Sequence, residues 1–167
     1  LWQVSDGALL HELTEHTRPI NDVAFSIDGT KLASASDDGT VRLWQVSNGA
    51  LLDTLPAHNH EVRCVAFSPD DEFLATGSCL HENEKGNYEC IRGEIGLWQA
   101  DDRQLVSKFP AHGSHVSTLA FSPDSGTLAS GACSKLVDNW DCTAGEVVLW
   151  AVSDQRTLGS LTGHTDW

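Results

Sequence analysis

The sequence contains no Met, a single Tyr, and only 10 Lys and Arg against 24 Asp and Glu in 167 residues. So little positive charge excludes a duplex-binding role and a polybasic contact with anionic lipid, since both need clustered Lys and Arg to meet phosphates. No apolar run reaches the roughly 18 residues that a helical membrane span requires. Neither a nucleic-acid partner nor membrane insertion is therefore expected. The opening Leu1-Trp2-Gln3 lacks a signal-peptide pattern. The absence of Met, position 1 included, points to an internal piece of a longer polypeptide whose targeting signals cannot be read. There is no nucleophile-elbow motif, no phosphate-cradling Gly loop, no His-Glu-x-x-His and no Cys-x-x-Cys. Sustained helical periodicity is missing as well. What remains is globular: 40% apolar and 20% charged residues, with a net charge of -14, exclude wholesale disorder.

The chain is built from a repeat. Leu1-Trp2-Gln3, Leu43-Trp44-Gln45, Leu97-Trp98-Gln99 and Leu149-Trp150-Ala151 follow one another at spacings of 42, 54 and 52 residues, and His16, His58, His112 and His164 keep the same spacings. Ala24-Phe25-Ser26 returns at 66–68 and 120–122; Leu32-Ala33-Ser34 returns as Leu74-Ala75-Thr76 and Leu128-Ala129-Ser130. Each His precedes its Ser or Thr by 18 residues. The unit is thus 42 residues long, and the second and third copies carry insertions of 12 and 10 between the hydroxyl residue and the Trp. Short runs rich in Val, Leu, Phe and Trp, separated by turn signals, predict about four strands per unit. At Asp28-Gly29, Asp70-Asp71 and Asp124-Ser125 the tight reversal demands residues that tolerate left-handed φ. Four short strands repeated at this period describe a β-propeller blade.

The stretch from His16 through Leu32-Ala33-Ser34-Ala35-Ser36-Asp37-Asp38-Gly39-Thr40-Val41-Arg42-Leu43-Trp44 resembles the WD-repeat family, with Gln45 where the eponymous Asp stands. The resemblance implies an all-β fold of four-stranded antiparallel blades. It also implies a hydrogen-bonded structural tetrad of His16, Ser34, Asp38 and Trp44. The second unit offers His58, Thr76 and Trp98, but Arg92 occupies the place six residues before the Trp. The third offers His112, Ser130 and Trp150, with Ala144 at that place. Glu89 and Asp141 are the candidate substitutes for the missing carboxylate. Counted by strand, residues 1–13 hold the end of a third strand and an outer fourth, whole blades follow at about 19–55, 61–109 and 115–161, and 163–167 begin a loop into another blade. The repeat units run about 3–44, 45–98, 99–150 and an incomplete 151–167. A closed ring of seven would need on the order of 300 residues. This is a partial ring, about three blades plus an outer strand, of a larger propeller; self-assembly of partial rings is the alternative.

Cys64 falls on a strand and reads as a small, half-buried packing residue. The other four Cys come in local pairs, Cys79 with Cys90 and Cys133 with Cys142, one pair per insertion. The compartment is unknown, with the cytoplasm slightly favoured, and disulfides and free thiols in a reducing cytoplasm are both compatible with this spacing. A metal site from Cys79, His81, Glu82 and Cys90 is a third reading without structural-zinc spacing; no metal and no cofactor are assigned. Asn87-Tyr88-Glu89-Cys90 resembles Asn139-Trp140-Asp141-Cys142, so the insertions share an origin. They carry the least repeat-like residues, and His81, Lys85, Tyr88, Arg92, Lys135 and Trp140 are the candidate contacts for a partner on one face. No catalytic residue is assigned. The expected function is a non-catalytic scaffold binding a protein, a peptide or another domain of the same chain. The alternative is the sensor or structural part of a larger enzyme or signalling protein.

Overall fold

A computed structural model describes residues 1–80, 90, 92–136 and 142–164, with only the backbone of Leu80, Lys135 and Leu136. Among them twelve strands form three four-stranded antiparallel sheets. The first comprises β1 (Ile20–Phe25), β2 (Lys31–Ser36), β3 (Val41–Gln45) and β4 (Leu51–Leu55). The second comprises β5 (Val62–Phe67), β6 (Phe73–Leu80), β7 (Arg92–Gln99) and β8 (Leu105–His112). The third comprises β9 (Val116–Phe121), β10 (Thr127–Leu136), β11 (Cys142–Ala151) and β12 (Thr157–His164). Strands pair strictly in sequence order within each sheet, as short hairpin connections demand.

The sheets are built to one register. Leu32 lies opposite Trp44, Leu74 opposite Trp98 and Leu128 opposite Trp150. The third and fourth strands shift register at each of these Trp residues, a bulge that adds local twist. In the first hairpin the residue after the turn Asp takes positive φ in every copy: Gly29 at 69°, Asp71 at 58° and Ser125 at 59°. The insertions lengthen the paired strands, so that pairing continues to Leu80–Arg92 in the second sheet and Leu136–Cys142 in the third.

The apolar cores lie between sheets rather than within them. Ala33, Val41, Leu43 and Leu55 of the first sheet pack with Val62, Val65, Leu74 and Trp98 of the second. Ala75, Ile95 and Leu97 pack with Val116, Leu128 and Trp150 of the third, where the Phe109 and Trp150 rings meet at 5.1 Å. Polar stitches fix the first of these joints. Val65 N–H donates to Asp22 (2.9 Å), and Asp71 accepts from the N–H groups of Ile27 (2.8 Å) and Asp28 (3.1 Å).

Residues 1–13 hold the bridge Trp2–Leu9, flanked by the bonds Gln3 N–H to Ala8 O (2.8 Å) and Leu10 N–H to Leu1 O (2.9 Å). One expectation needs correcting. Cys64 is fully buried rather than half-buried, seated between β5 and β9 with its thiol 3.6 Å from the Val116 carbonyl. Burial first, and the Asp22 charge second, push that thiol up to about 12, leaving it protonated and inert.

Candidate functional site

Each sheet carries one buried polar chain that ties the loop entering the sheet to its second and third strands. In the first, Trp44 Nε1–H donates to Ser34 Oγ (2.9 Å), Ser34 Oγ lies 2.7 Å from His16 Nε2, and His16 Nδ1 lies 2.8 Å from Asp38 Oδ2. Only one proton arrangement uses every group once. The indole donates to the hydroxyl, the hydroxyl to Nε2, and Nδ1–H to the carboxylate. Burial pushes the Asp38 carboxyl up. It is outweighed by hydrogen bonds from the Thr40 hydroxyl, His16 and the Thr17 and Thr40 amides, so the carboxyl stays far below the usual carboxylate range.

The second and third sheets build the same chain with a different acid. Trp98 Nε1–H reaches Thr76 (3.2 Å), Thr76 reaches His58 (2.8 Å), and His58 Nδ1 meets Glu94 (2.8 Å). Trp150, Ser130, His112 and Glu146 repeat this at 2.8, 2.7 and 2.8 Å. The carboxylate therefore comes from four residues before the Trp. Glu89 and Asp141, the substitutes expected from sequence, lie outside the described residues. The reason is strand geometry: alternate residues share a face, so the positions four and six before the Trp point the same way. Where the hairpin continues as strand, Arg92 sits opposite Leu80 instead of on a turn, and the longer Glu side chain spans the added distance. Burial first holds His58 below its ordinary value, against the raising effect of Glu94. The hydrogen bond from His58 holds Glu94 low.

The sequence did contain a signal for this acid: Gly93-Glu94 and Gly145-Glu146 stand at identical distances from Trp98 and Trp150. At Gly93 the glycine is required by packing. A Cβ at Gly93 would sit 2.3 Å from the Ser114 carbonyl oxygen, and one at Gly39, where φ is +83°, would sit 2.9 Å from that of His58. The hairpin of one sheet thus leans directly on the His-bearing loop of the next.

Near the described end of each extended pairing lies a disulfide, Cys79–Cys90 with Cα atoms 5.6 Å apart and Cys133–Cys142 at 5.7 Å. Cys79 pairs with Gly93 and Cys133 with Gly145, one step beyond the tetrad acids. With Cys79 and Cys90 bonded to each other, the metal reading loses its thiolates. Of the candidate partner contacts, Arg92 is exposed on β7 and Lys135 is placed by backbone on β10. His81, Lys85, Tyr88 and Trp140 lie outside the described residues.

A family model described as "WD domain, G-beta repeat" matches residues 7–45, 49–80 and 103–143. Over 167 residues, 99% of this chain, the sequence is 31% identical to Protein SPA1-RELATED 3 of Arabidopsis thaliana, covering 18% of that protein. Over 63 residues, 38% of this chain, it is 41% identical to Mitochondrial division protein 1 of Schizosaccharomyces pombe, covering 8% of it. Among solved structures, the RRP9 WD40 repeats and U3-55K each superpose with a TM-score of 0.74 at 26% identity, over 92% of this chain and 42% of theirs. The chain spans less than a fifth of these two curated relatives.

Proposed function

The chain belongs to the WD40-repeat family, and from that premise we propose that it is a non-catalytic platform holding a protein partner, or another domain of its own polypeptide, against one rigid face. Domains of this family commonly mediate protein interactions and are typically non-catalytic. One observation carries the reading: two extended, disulfide-joined hairpins stand on neighbouring sheets, each rooted in a buried tetrad. A disulfide and a tetrad at the root of each hairpin limit the ordering cost of the strands that carry the contacts. The face is offered by 79–93 and 133–145, with His81, Lys85, Tyr88, Arg92, Lys135 and Trp140 as the contact set. Aromatic and Arg side chains are those that most often dominate binding energy.

The test compares capture by the wild-type chain and by Tyr88→Ala/Trp140→Ala, using chemical cross-linking and mass mapping in an extract of the source organism. A wild-type link inside 79–93 or 133–145 that weakens about tenfold or more in the variant, with thermal stability retained, supports the reading. Full capture by a stably folded variant moves the site elsewhere. A second reading is favoured by size, since the curated relatives are far longer than this chain: the sheets form the structural part of a larger enzyme or signalling protein. A wild-type link to another segment of the same polypeptide supports that one.

A further inference from the structure

The two disulfides are seated differently. Cys133 and Cys142 both lie inside the ladder of the third sheet, Cys133 opposite Gly145 and Cys142 opposite Leu136. They are 2% and 5% exposed, and the Ser114 hydroxyl donates to the Cys133 carbonyl (2.6 Å) from the loop that enters the sheet. In the second sheet only one member of the pair is held this way. Cys79 lies on β6 opposite Gly93 and is 1% exposed. Cys90 stands before β7, which begins at Arg92, and is half-buried. Thiol–disulfide exchange starts when a thiolate reaches one sulfur of the bond, so access decides which bond reacts and at which atom.

We propose that Cys79–Cys90 is a thiol-exchange site, attacked at Cys90 Sγ by a small thiol such as glutathione, whereas Cys133–Cys142 is a closed structural bond. The small thiol gives up its proton, and its sulfur bonds to Cys90 Sγ. The protein S–S bond breaks, its electron pair stays on Cys79 Sγ, and that sulfur takes up a proton. The product is a mixed disulfide on Cys90 and a buried thiol at Cys79. A second small thiol then attacks the small-molecule sulfur, releases Cys90 as a thiol and leaves as the small disulfide. Two thiols are thus oxidised as one protein disulfide is reduced. Backbone pairing and the tetrad hold the sheet below this bond: β6 and β7 pair from Phe73–Gln99 to Leu80–Arg92, and Glu94 meets His58 within that ladder. Exchange therefore opens the covalent closure between residues 79 and 90 and leaves the tetrad made. The chemistry needs no partner on this face, so it stands or falls apart from the platform reading.

The test treats the air-oxidised protein with glutathione at about pH 8, where thiolate is plentiful, and quenches samples in acid for mass mapping. The expected result is opening of Cys79–Cys90 about tenfold or more faster than Cys133–Cys142, with the first adduct trapped on Cys90. The far-UV circular dichroism should keep its β signal after that first exchange. In guanidinium chloride the two bonds should open at rates within about threefold of each other, because every sulfur is then accessible. An adduct on Cys79 in place of Cys90 overturns the proposal, as do equal rates at the two native disulfides. So do selectivity that persists in the denatured chain, loss of the β signal on the first exchange, and Cys79 and Cys90 that stay free thiols after air oxidation.

Discussion

Glu94→Asp tests whether the second tetrad depends on the reach of its acid. The substitution keeps the charge and removes one methylene, withdrawing the carboxylate by about 1.5 Å from a contact that now measures 2.8 Å. The His58 side chain is 1% exposed, so withdrawing the acceptor leaves Nδ1–H short of its partner in a buried site. Such a donor costs about 1–3 kcal/mol, and each kcal/mol moves the thermal midpoint of a chain this size by roughly 2–4 °C. Glu94→Gln should cost less, because its amide oxygen still accepts from Nδ1–H at the original distance. The converse graft uses the first sheet, where the Thr40 hydroxyl already lies 3.4 Å from His16 Nδ1. Thr40→Glu should restore much of what Asp38→Ala removes, since it places the acid where the other sheets carry it. Urea unfolding followed by far-UV circular dichroism reads all four variants. The reasoning fails if Glu94→Asp unfolds with the wild-type midpoint and slope, or if Glu94→Gln is the more damaging of the pair.

Trp44→Phe keeps most of the apolar area but removes the only indole donor to Ser34, and should cost about 1–3 kcal/mol; an unchanged urea midpoint and slope would refute the tetrad's role. Non-reducing peptide mapping should find Cys79–Cys90 and Cys133–Cys142 as the only links, with Cys64 alkylated solely after unfolding. Breaking each link should destabilise by roughly 2–3 kcal/mol on the loop-entropy account, and any cross-link to Cys64 would overturn the pairing. His58 is held below its ordinary value of 6.5, so the unfolded chain takes up a proton that the folded chain refuses. That contribution to stability is complete above about pH 6.5 and shrinks as pH falls below it. Glu94 and Asp38, held below 4.5 and 3.8, add a second loss on further acidification. Equal urea midpoints at about pH 7.5 and about pH 5 would contradict the burial of neutral His58.

The repeat was legible because blades reuse one register. The recurring Leu-Trp and His-to-hydroxyl spacings located every sheet, and the Asp-Gly, Asp-Asp and Asp-Ser turns carry the positive φ that such a reversal requires. The acids of the second and third tetrads are hidden when the first unit serves as the ruler. Its Asp sits on a turn, whereas Glu94 and Glu146 sit on strands that the insertions had lengthened. A comparison of the two inserted units with each other exposes Gly93-Glu94 and Gly145-Glu146 directly. The burial of Cys64 is hidden for a different reason. Strand alternation ranks positions within one sheet, but its burial comes from β9 of the next sheet, a contact that no single-strand pattern encodes.

The insertions and the displaced acids are two sides of one physical change. Extending the second hairpin turns the tight-turn position into strand and removes the site from which Asp38 caps its own loop. The His–hydroxyl–indole part of the chain needs only the register of the second strand against the third, and that register is unaltered between Leu32–Trp44 and Leu74–Trp98. A Glu at the next position on the same face therefore suffices to complete it. The disulfide one step further closes the hairpin just where the tetrad no longer clamps it. The fold can thus accept long, variable segments on this face without loosening the joints between sheets, because the residues that lock each joint lie below the point of insertion.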